Sequence, residues 1–294
     1  MAVFEINNVH VYIDDKLKGQ LDKKVIPDLQ RKDKDRVFII DGGEGTGKSQ
    51  MGIHQLGGYI ASQLRTHYQL DNICMTPEEF KKRIMSANKN EVVIFDEGHR
   101  GFGSISVLSE INKILTDLMM EMRQKNLCVI IIMPTFFMLN KYVALFRASG
   151  LFHIYERKGN RGFWVFYNKK NKLKLYLKGK KDLNYNCIHY PRFRGRFYNQ
   201  WCINEEEYRK KKEKAFETKP RIIKAEKYIK QRDILVYIMN KELNLSQRKI
   251  AELFKKYKIE LTRAGIQAIL EQFKPKDEQK YEDVGKKDES DEET

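Results

Sequence analysis

The 294-residue sequence has few cysteines and prolines and no long apolar run. None of its four cysteines forms a CxxC pair, which argues against a zinc site or a disulfide framework and fits a reducing compartment. The most apolar run, residues 127–133, is far shorter than the ~20 residues that cross a bilayer. No signal peptide is evident at the N-terminus. We therefore expect no membrane span and a cytoplasmic location, in the host cytoplasm if the protein is viral.

Acidic residues are scarce relative to basic ones, and the formal net charge is +16. Residues 277–294 contain nine acids and three lysines, so this tail carries −6 and residues 1–276 carry +22. Such an excess favours a polyanionic partner, most simply nucleic acid. A basic surface that is merely solvated is the alternative. The acidic tail has the composition of a disordered segment.

Short apolar segments alternate with amphipathic ones up to residue 133. Uniformly apolar strands separated by helices predict a mainly parallel α/β sheet covered on both faces. Thr76 and Pro77 have the residue types that begin a helix. The predicted strands are 37–40, 73–75, 92–95 and 128–133, and the predicted helices are 48–66, 76–85 and 106–125.

A glycine-rich segment lies between the first of these strands and the helix after it. It reads Gly42-Gly43-Glu44-Gly45-Thr46-Gly47-Lys48-Ser49 and matches the P-loop pattern G-x-x-x-x-G-K-[ST] in full. Glycines let the backbone close around a phosphate, and the helix N-terminus attracts the anion. We expect this segment and Gln50 to bind ATP, with Lys48 at the β- and γ-phosphates and Ser49 on Mg2+.

The strand at 92–95 ends in two acids, Asp96 and Glu97. We expect Asp96 to hold Mg2+ and Glu97 to polarise the attacking water as a catalytic base. Two carboxylates at the end of a buried strand need a cation or solvent to offset desolvation, so a strand end that simply reaches solvent is the alternative.

Two further residues are candidates for catalysis. Thr135 follows the strand 128–133 at the sheet edge where ligands bind, and there it could sense the γ-phosphate or simply cap a helix. Arg147 is the preferred arginine finger offered to a neighbouring subunit, ahead of Arg100 and Arg123. A solvated helix face is the alternative for each arginine.

Basic and aromatic residues interleave after residue 157. Residues 158–181 contain nine lysines and arginines and no acid. Basic residues neutralise phosphates, and aromatic residues can stack on bases. The alternation equally predicts a β-hairpin of strands 162–167 and 173–177 with an aromatic core face and a basic solvent face. A strand is also expected at 151–155.

The remaining sequence predicts helices. Asn204 begins a charged helix, and Ser246 and Thr262 begin two amphipathic helices. The last pair resembles a helix-turn-helix with Arg263 and Gln267 facing outward towards DNA, although a helical bundle for subunit contact fits as well. The predicted divisions are an N-terminal arm (1–36), an ATPase core (37–157), its basic β-rich extension (158–203), a charged helix linker (204–220), a helix-turn-helix-like domain (221–275) and the acidic tail (276–294).

Residues 37–155 resemble the additional-strand P-loop ATPases of the RecA-like group. Within it they are similar to FtsK–HerA motors and to viral, phage and plasmid packaging or assembly ATPases, including the zonula occludens toxin-like proteins. The likeness rests on the P-loop, the Asp96-Glu97 strand and the strand that leads to Pro134-Thr135. Thr135 is followed by Phe136, where those families often have glutamine. The resemblance implies a homo-oligomer, often a hexameric ring, with sites between subunits.

The sequence therefore predicts an ATP-hydrolysing motor that acts on nucleic acid, most simply duplex DNA, as in viral genome packaging or translocation. Two alternatives stay open. One is an ATP-dependent DNA-binding switch or adaptor, and the other is a phage assembly or secretion ATPase. The catalytic glutamate favours hydrolysis over binding alone, and the basic body favours DNA over protein.

Overall fold

The computed structural model describes residues 2–96, 112–187, 193–217, 223–257, 259 and 261–273. The chain divides into two compact units, Met1–Thr218 and Lys219–Thr294. The strands of the described residues all belong to the first unit. They are β1 (Ala2–Ile6), β2 (Val9–Ile13), β3 (Arg36–Gly42), β4 (Ile73–Cys74), β5 (Val92–Asp96), β6 (Cys128–Ile132), β7 (Gly150–Arg157), β8 (Asn160–Tyr167) and β9 (Arg194–Arg196).

Seven of these strands form one sheet, in the order β4-β5-β6-β3-β7-β8-β9, and β1 and β2 form a separate hairpin. Neighbouring strands from β4 across to β7 are parallel, whereas β8 and β9 are antiparallel to their neighbours. The predicted α/β class with a mainly parallel sheet is therefore confirmed. β6 lies between β3, which precedes the glycine-rich loop, and β5, which ends in Asp96.

Helices cover both faces of this sheet. Thr76 begins one of them as predicted, because its side chain accepts a hydrogen bond from the Glu79 amide at 3.2 Å. The helices are α1 (the contiguous segments Asp15–Gln20, Leu21–Val25 and Ile26–Gln30), α2 (Gln50–Gly57 and Gly58–Leu64), α3 (Pro77–Ser86), α4 (Met119–Gln124), α5 (Lys169–Gly179) and α6 (Glu205–Glu217), with shorter turns at Leu70–Asn72, Phe136–Met138, Tyr142–Arg147 and Tyr185–Cys187.

Strand β3 shows why the strands are apolar throughout. Phe38 and Ile40 pack on the face that α1 and α2 cover, whereas Val37 and Ile39 pack on the face that α3, α4 and α5 cover. Successive side chains of a strand point to opposite faces, so a strand covered on both sides needs apolar residues at every position.

The strand predicted at residues 173–177 is wrong, because this segment belongs to helix α5. Its buried residues, Lys172, Leu175, Tyr176 and Gly179, follow the helical spacing of three and four, whereas Leu173 and Leu177 are exposed. Asn168 caps the helix by accepting a hydrogen bond from the Asn171 amide at 3.0 Å. The antiparallel hairpin of this region is formed by β7 and β8 instead.

The second unit contains three helices in its described part: α7 (Ile223–Lys241), α8 (Gln247–Lys256) and α9 (Arg263–Gln272). Val236, Ile250 and Ile266 meet in a small core. The predicted caps at Ser246 and Thr262 are confirmed, since their hydroxyls accept from the Lys249 and Gly265 amides at 3.3 and 3.1 Å. The helix-turn-helix interpretation stays a prediction.

Candidate functional site

The glycine-rich loop joins the carboxyl end of β3 to the start of α2. Gly42 and Gly47 have φ values of +148° and +96°, a region that residues with a Cβ rarely adopt. A Cβ at Gly42 would lie 2.2 Å from the Ile154 carbonyl oxygen, and one at Gly47 would lie 2.9 Å from the Phe197 ring. The backbone conformation and the close packing against Ile154 and Phe197 therefore both require glycine at these two positions.

The Lys48 ammonium lies inside the loop. Its Nζ donates to the carbonyl oxygens of Gly42 and Gly43 at 2.9 and 2.6 Å. Burial lowers the pKa of Lys48, and the nearby Asp96 carboxylate partly opposes this effect. The Thr46 hydroxyl donates to the Gly43 carbonyl at 2.8 Å and tightens the turn. The loop thus holds a cation beside the α2 N-terminus, a combination that favours a bound polyphosphate.

The Ser49 hydroxyl donates to Oδ2 of Asp96 at 2.9 Å. Asp96 ends the apolar strand β5, and it is only 2% exposed. A hydroxyl and a carboxylate are the oxygen ligands that Mg2+ takes beside a nucleotide, and Mg2+ keeps several waters when few protein groups bind it. Ser49 and Asp96, which lie 47 residues apart in sequence, therefore fit a magnesium ion. Glu97, the predicted catalytic base, lies outside the described residues.

Helix α6 brings two more side chains to Asp96. The Tyr208 hydroxyl donates to Oδ2 of Asp96 at 2.5 Å, and the Lys212 ammonium lies 3.4 Å from the same oxygen and 3.1 Å from the Tyr208 oxygen. Burial, and then the Asp96 charge, raises the pKa of Tyr208. Sequence reasoning missed both residues, because the spacing of a tyrosine and a lysine one turn apart does not identify a contact over 112 residues.

Thr135 belongs to a buried hydrogen-bond network behind the loop. The Tyr185 hydroxyl donates to Asp41, so the Thr135 hydroxyl, 2.8 Å from the Tyr185 oxygen, is the donor in its own contact. Asp41 immediately precedes Gly42, and it also accepts from the Phe136 amide at 2.9 Å. His153 lies 2.9 Å from Asp41 and stacks on Tyr185. The structure thus links Thr135 to the loop strand, and its role as a phosphate sensor stays a prediction.

The structure does not bring Arg147 to the loop. Its guanidinium forms an ion pair with Asp35, which precedes β3 at the sheet edge opposite the loop. Its side chain is 10% exposed and also contacts the Met122 sulfur at 3.5 Å. A finger role in a neighbouring subunit would require this ion pair to break. Arg100 lies outside the described residues.

Arg161, in the β7–β8 hairpin, is a loop neighbour that sequence reasoning had counted only as part of a basic run. Its Nη2 lies 3.5 Å from where a Cβ would stand at Gly45. The guanidinium is otherwise exposed and is 3.3 Å from Glu156. Pairing of β7 with β3 explains the approach, because it carries the hairpin to the loop end of the sheet.

The basic extension contributes some of its side chains to the core and others to the surface. Trp164, Tyr167 and Tyr176 are buried and are not available to stack on bases. Lys172 is also buried, and it donates to the Ala144 and Ala148 carbonyl oxygens; burial lowers its pKa to about 8. The other lysines and arginines of residues 158–181 are exposed. This surface therefore suits contact with phosphates better than stacking on bases.

Comparison with known proteins gave only distant similarities, all of them to solved structures. No protein-family model and no curated protein sequence matches the chain. The fold is similar to the N-terminal domain of zonular occludens toxin from Neisseria meningitidis, with 12% identity, coverage of 49% of this chain and 90% of that one, and a TM-score of 0.33. A similarity at this level carries no argument about function.

Within the described ranges, no helix has both the length and the apolar composition to cross a membrane.

Proposed function

We propose that this chain is a magnesium-dependent P-loop ATPase. The observation that carries the proposal is the 2.9 Å hydrogen bond between Ser49 and Asp96, formed directly beneath a loop that has the complete P-loop sequence. A serine at the start of a helix and an aspartate at the end of a buried strand have no common role in packing the core. They do have one if both bind the metal of a metal–nucleotide complex.

Each residue then has a defined task. The loop amides and the Lys48 ammonium bind the phosphates, and Ser49 and Asp96 hold Mg2+. The metal neutralises charge that develops on the phosphate oxygens during hydrolysis. Glu97, which follows Asp96 in sequence, orients and polarises the attacking water. Low exposure of Asp96 strengthens its attraction for a cation, because the surrounding protein screens charge less than water does.

The test is ATP binding and hydrolysis by the full chain and three variants. Lys48→Ala should lose nucleotide affinity or turnover, Asp96→Asn should lose Mg2+-dependent turnover, and Glu97→Gln should bind ATP without hydrolysing it. Lys23→Ala, at an exposed position of α1, is the matched control for Lys48→Ala. Hydrolysis by Lys48→Ala at the wild-type rate would contradict the proposal.

The cellular task that we propose is movement or packaging of duplex DNA by a homo-oligomeric ring. Its support is the charge of +22 on residues 1–276 and the exposed lysines of α5, such as Lys174 and Lys178. Duplex DNA presents phosphates on its outside, which matches a surface of lysines whose aromatic neighbours Trp164, Tyr167 and Tyr176 are buried. Rates of ATP hydrolysis with and without duplex DNA, together with a native mass, test this task.

Stimulation by DNA and a multimeric mass are expected. A monomer whose hydrolysis ignores DNA would instead favour a nucleotide-dependent DNA-binding switch. That second candidate draws on the helical second unit, where Arg263 and Gln267 are exposed on α9. Gln267 already contacts Gln247 at 2.6 Å and Glu271 at 3.0 Å, so reading a base would require it to exchange these partners.

A further inference from the structure

Three hydrogen-bond donors converge on one oxygen of Asp96. The Ser49 hydroxyl, the Tyr208 hydroxyl and the Lys212 ammonium all lie within 3.4 Å of Oδ2. Ser49 belongs to the loop, whereas the other two belong to α6. The charge of Asp96 is therefore balanced by an internal cation from a helix that begins more than 100 residues later in the chain.

An ammonium and a magnesium ion cannot both lie against this oxygen. Lys212 is a cation within ion-pair distance of a carboxylate that is 2% exposed, and close like charges repel strongly where water is largely excluded. The three donors already occupy the lone-pair directions of Oδ2. Metal binding at this oxygen therefore requires Lys212 to leave and weakens the Tyr208 contact.

A neighbouring lysine shows that α6 can stay attached when Lys212 leaves. The Lys211 ammonium donates to the Ile73 carbonyl at 2.5 Å and lies 3.5 Å from Glu79. These partners belong to β4 and α3, not to the metal site. Lys211 is thus an anchor for the helix, and the Tyr208 hydroxyl and the Lys212 ammonium are the groups whose contacts depend on the state of Asp96.

We propose that Lys212 competes with Mg2+ for Asp96, so that binding of the metal–nucleotide complex releases α6 from the site. This proposal rests on the proposed function, because it takes Asp96 to be a magnesium ligand. In the absence of the metal–nucleotide complex, Lys212 and Tyr208 hold α6 against Asp96. With it, the helix keeps its Lys211 anchor, loses the Lys212 contact with the carboxylate and has a weaker Tyr208 contact.

Calorimetric titration of the full chain with Mg2+ in the presence of ADP tests the competition. Lys212→Met keeps the length of the side chain and removes its charge, and it should lower the Mg2+ concentration for half-saturation about fivefold, a factor typical of a partly exposed ion pair. The affinity for ADP in EDTA should not fall. Lys210→Met, at an exposed position of the same helix, is the matched control and should match the wild type.

Hydrogen exchange of the α6 amides supplies a second measurement. In the wild type, Mg2+ with ADP should accelerate exchange in residues 205–217. Lys212→Met and Tyr208→Phe should show this faster exchange before any ligand is added. An effect of Lys212 that came only from repulsion at a distance would change Mg2+ affinity without changing exchange, and that result would overturn the release of α6.

The remaining outcomes separate this proposal from the proposed function. If the wild type binds Mg2+ with ADP and Lys212→Met binds it equally well, the competition is wrong and the ATPase proposal stands. If Lys212→Met loses affinity for ADP in EDTA, Lys212 is a phosphate contact and the competition is again wrong. If the folded wild type binds no nucleotide at all, both proposals fail.

Discussion

Replacing Gly42 with alanine should disable the loop more severely than the same change one residue later. At Gly42 a Cβ would lie 2.2 Å from the Ile154 carbonyl oxygen, and φ is +148°. At Gly43 the nearest atom, Cγ2 of Thr46, would lie 3.4 Å away, and φ is not positive. Backbone strain costs about 1–3 kcal/mol, and forcing an extra carbon into packed structure costs a similar amount. We therefore expect Gly42→Ala to lose about 3 kcal/mol of unfolding free energy or more.

The assay is chemical unfolding of both variants, together with titration of each with ATP and Mg2+. The oxygen that clashes belongs to β7, the strand that pairs with β3, so relief of the clash must disturb either that pairing or the loop. Gly43→Ala should stay within about 1 kcal/mol of the wild type, as expected for a surface change. Equal stability and equal nucleotide affinity of the two variants would refute the assignment of Gly42 as a position that only glycine can occupy.

Three other changes have expected outcomes. Nδ1 of His54 accepts a hydrogen bond from the Cys202 amide at 3.1 Å, and burial lowers the pKa of His54 from 6.5 to about 3. Because the unfolded state therefore takes up a proton first as pH falls below 6.5, the free energy of unfolding should drop by about 2 kcal/mol between pH 7 and pH 5. Urea unfolding measures this drop, and His54→Gln should abolish it. Arg147→Met should cost about 3 kcal/mol because it leaves the Asp35 carboxylate, whose side chain is only 14% exposed, without its partner. Unchanged stability with lost turnover would favour the finger role. Tyr185→Phe should cost about 1–3 kcal/mol in thermal or chemical unfolding, because Asp41 loses a donor and Thr135 an acceptor; an unaltered midpoint would show that the network adds nothing to stability.

The sequence predicted the parts of the site that are local in the chain. The P-loop pattern, the buried strand that ends in Asp96 and the cap at Thr76 depend on neighbouring residues, and the structure has each of them. The segment 173–177 was mistaken for a strand, because five residues of alternating leucine fit both periods and the longer helical pattern, including a buried lysine, decides the outcome.

Contacts between distant segments could not be predicted. Tyr208 and Lys212 meet Asp96 across more than 100 residues, and nothing in a charged helix marks the side that faces inward. Arg161 reaches Gly45 only because β7 pairs with β3 and then turns back as β8. Register and strand order determine such neighbours, and a single sequence does not reveal either.

The edge strands of the seven-stranded sheet limit how copies of this protein can associate. Among the described residues, one edge strand is β4, with two residues. The other is β9, with three residues, of which Arg194 and Arg196 are exposed. Edge strands this short disfavour joining two sheets edge to edge, because few main-chain hydrogen bonds would form, and pairing of β9 with a second β9 would also bring like charges together. We therefore expect a multimer to form through side-chain surfaces and not by extending this sheet, so that its subunits could separate or rotate without breaking backbone hydrogen bonds between strands.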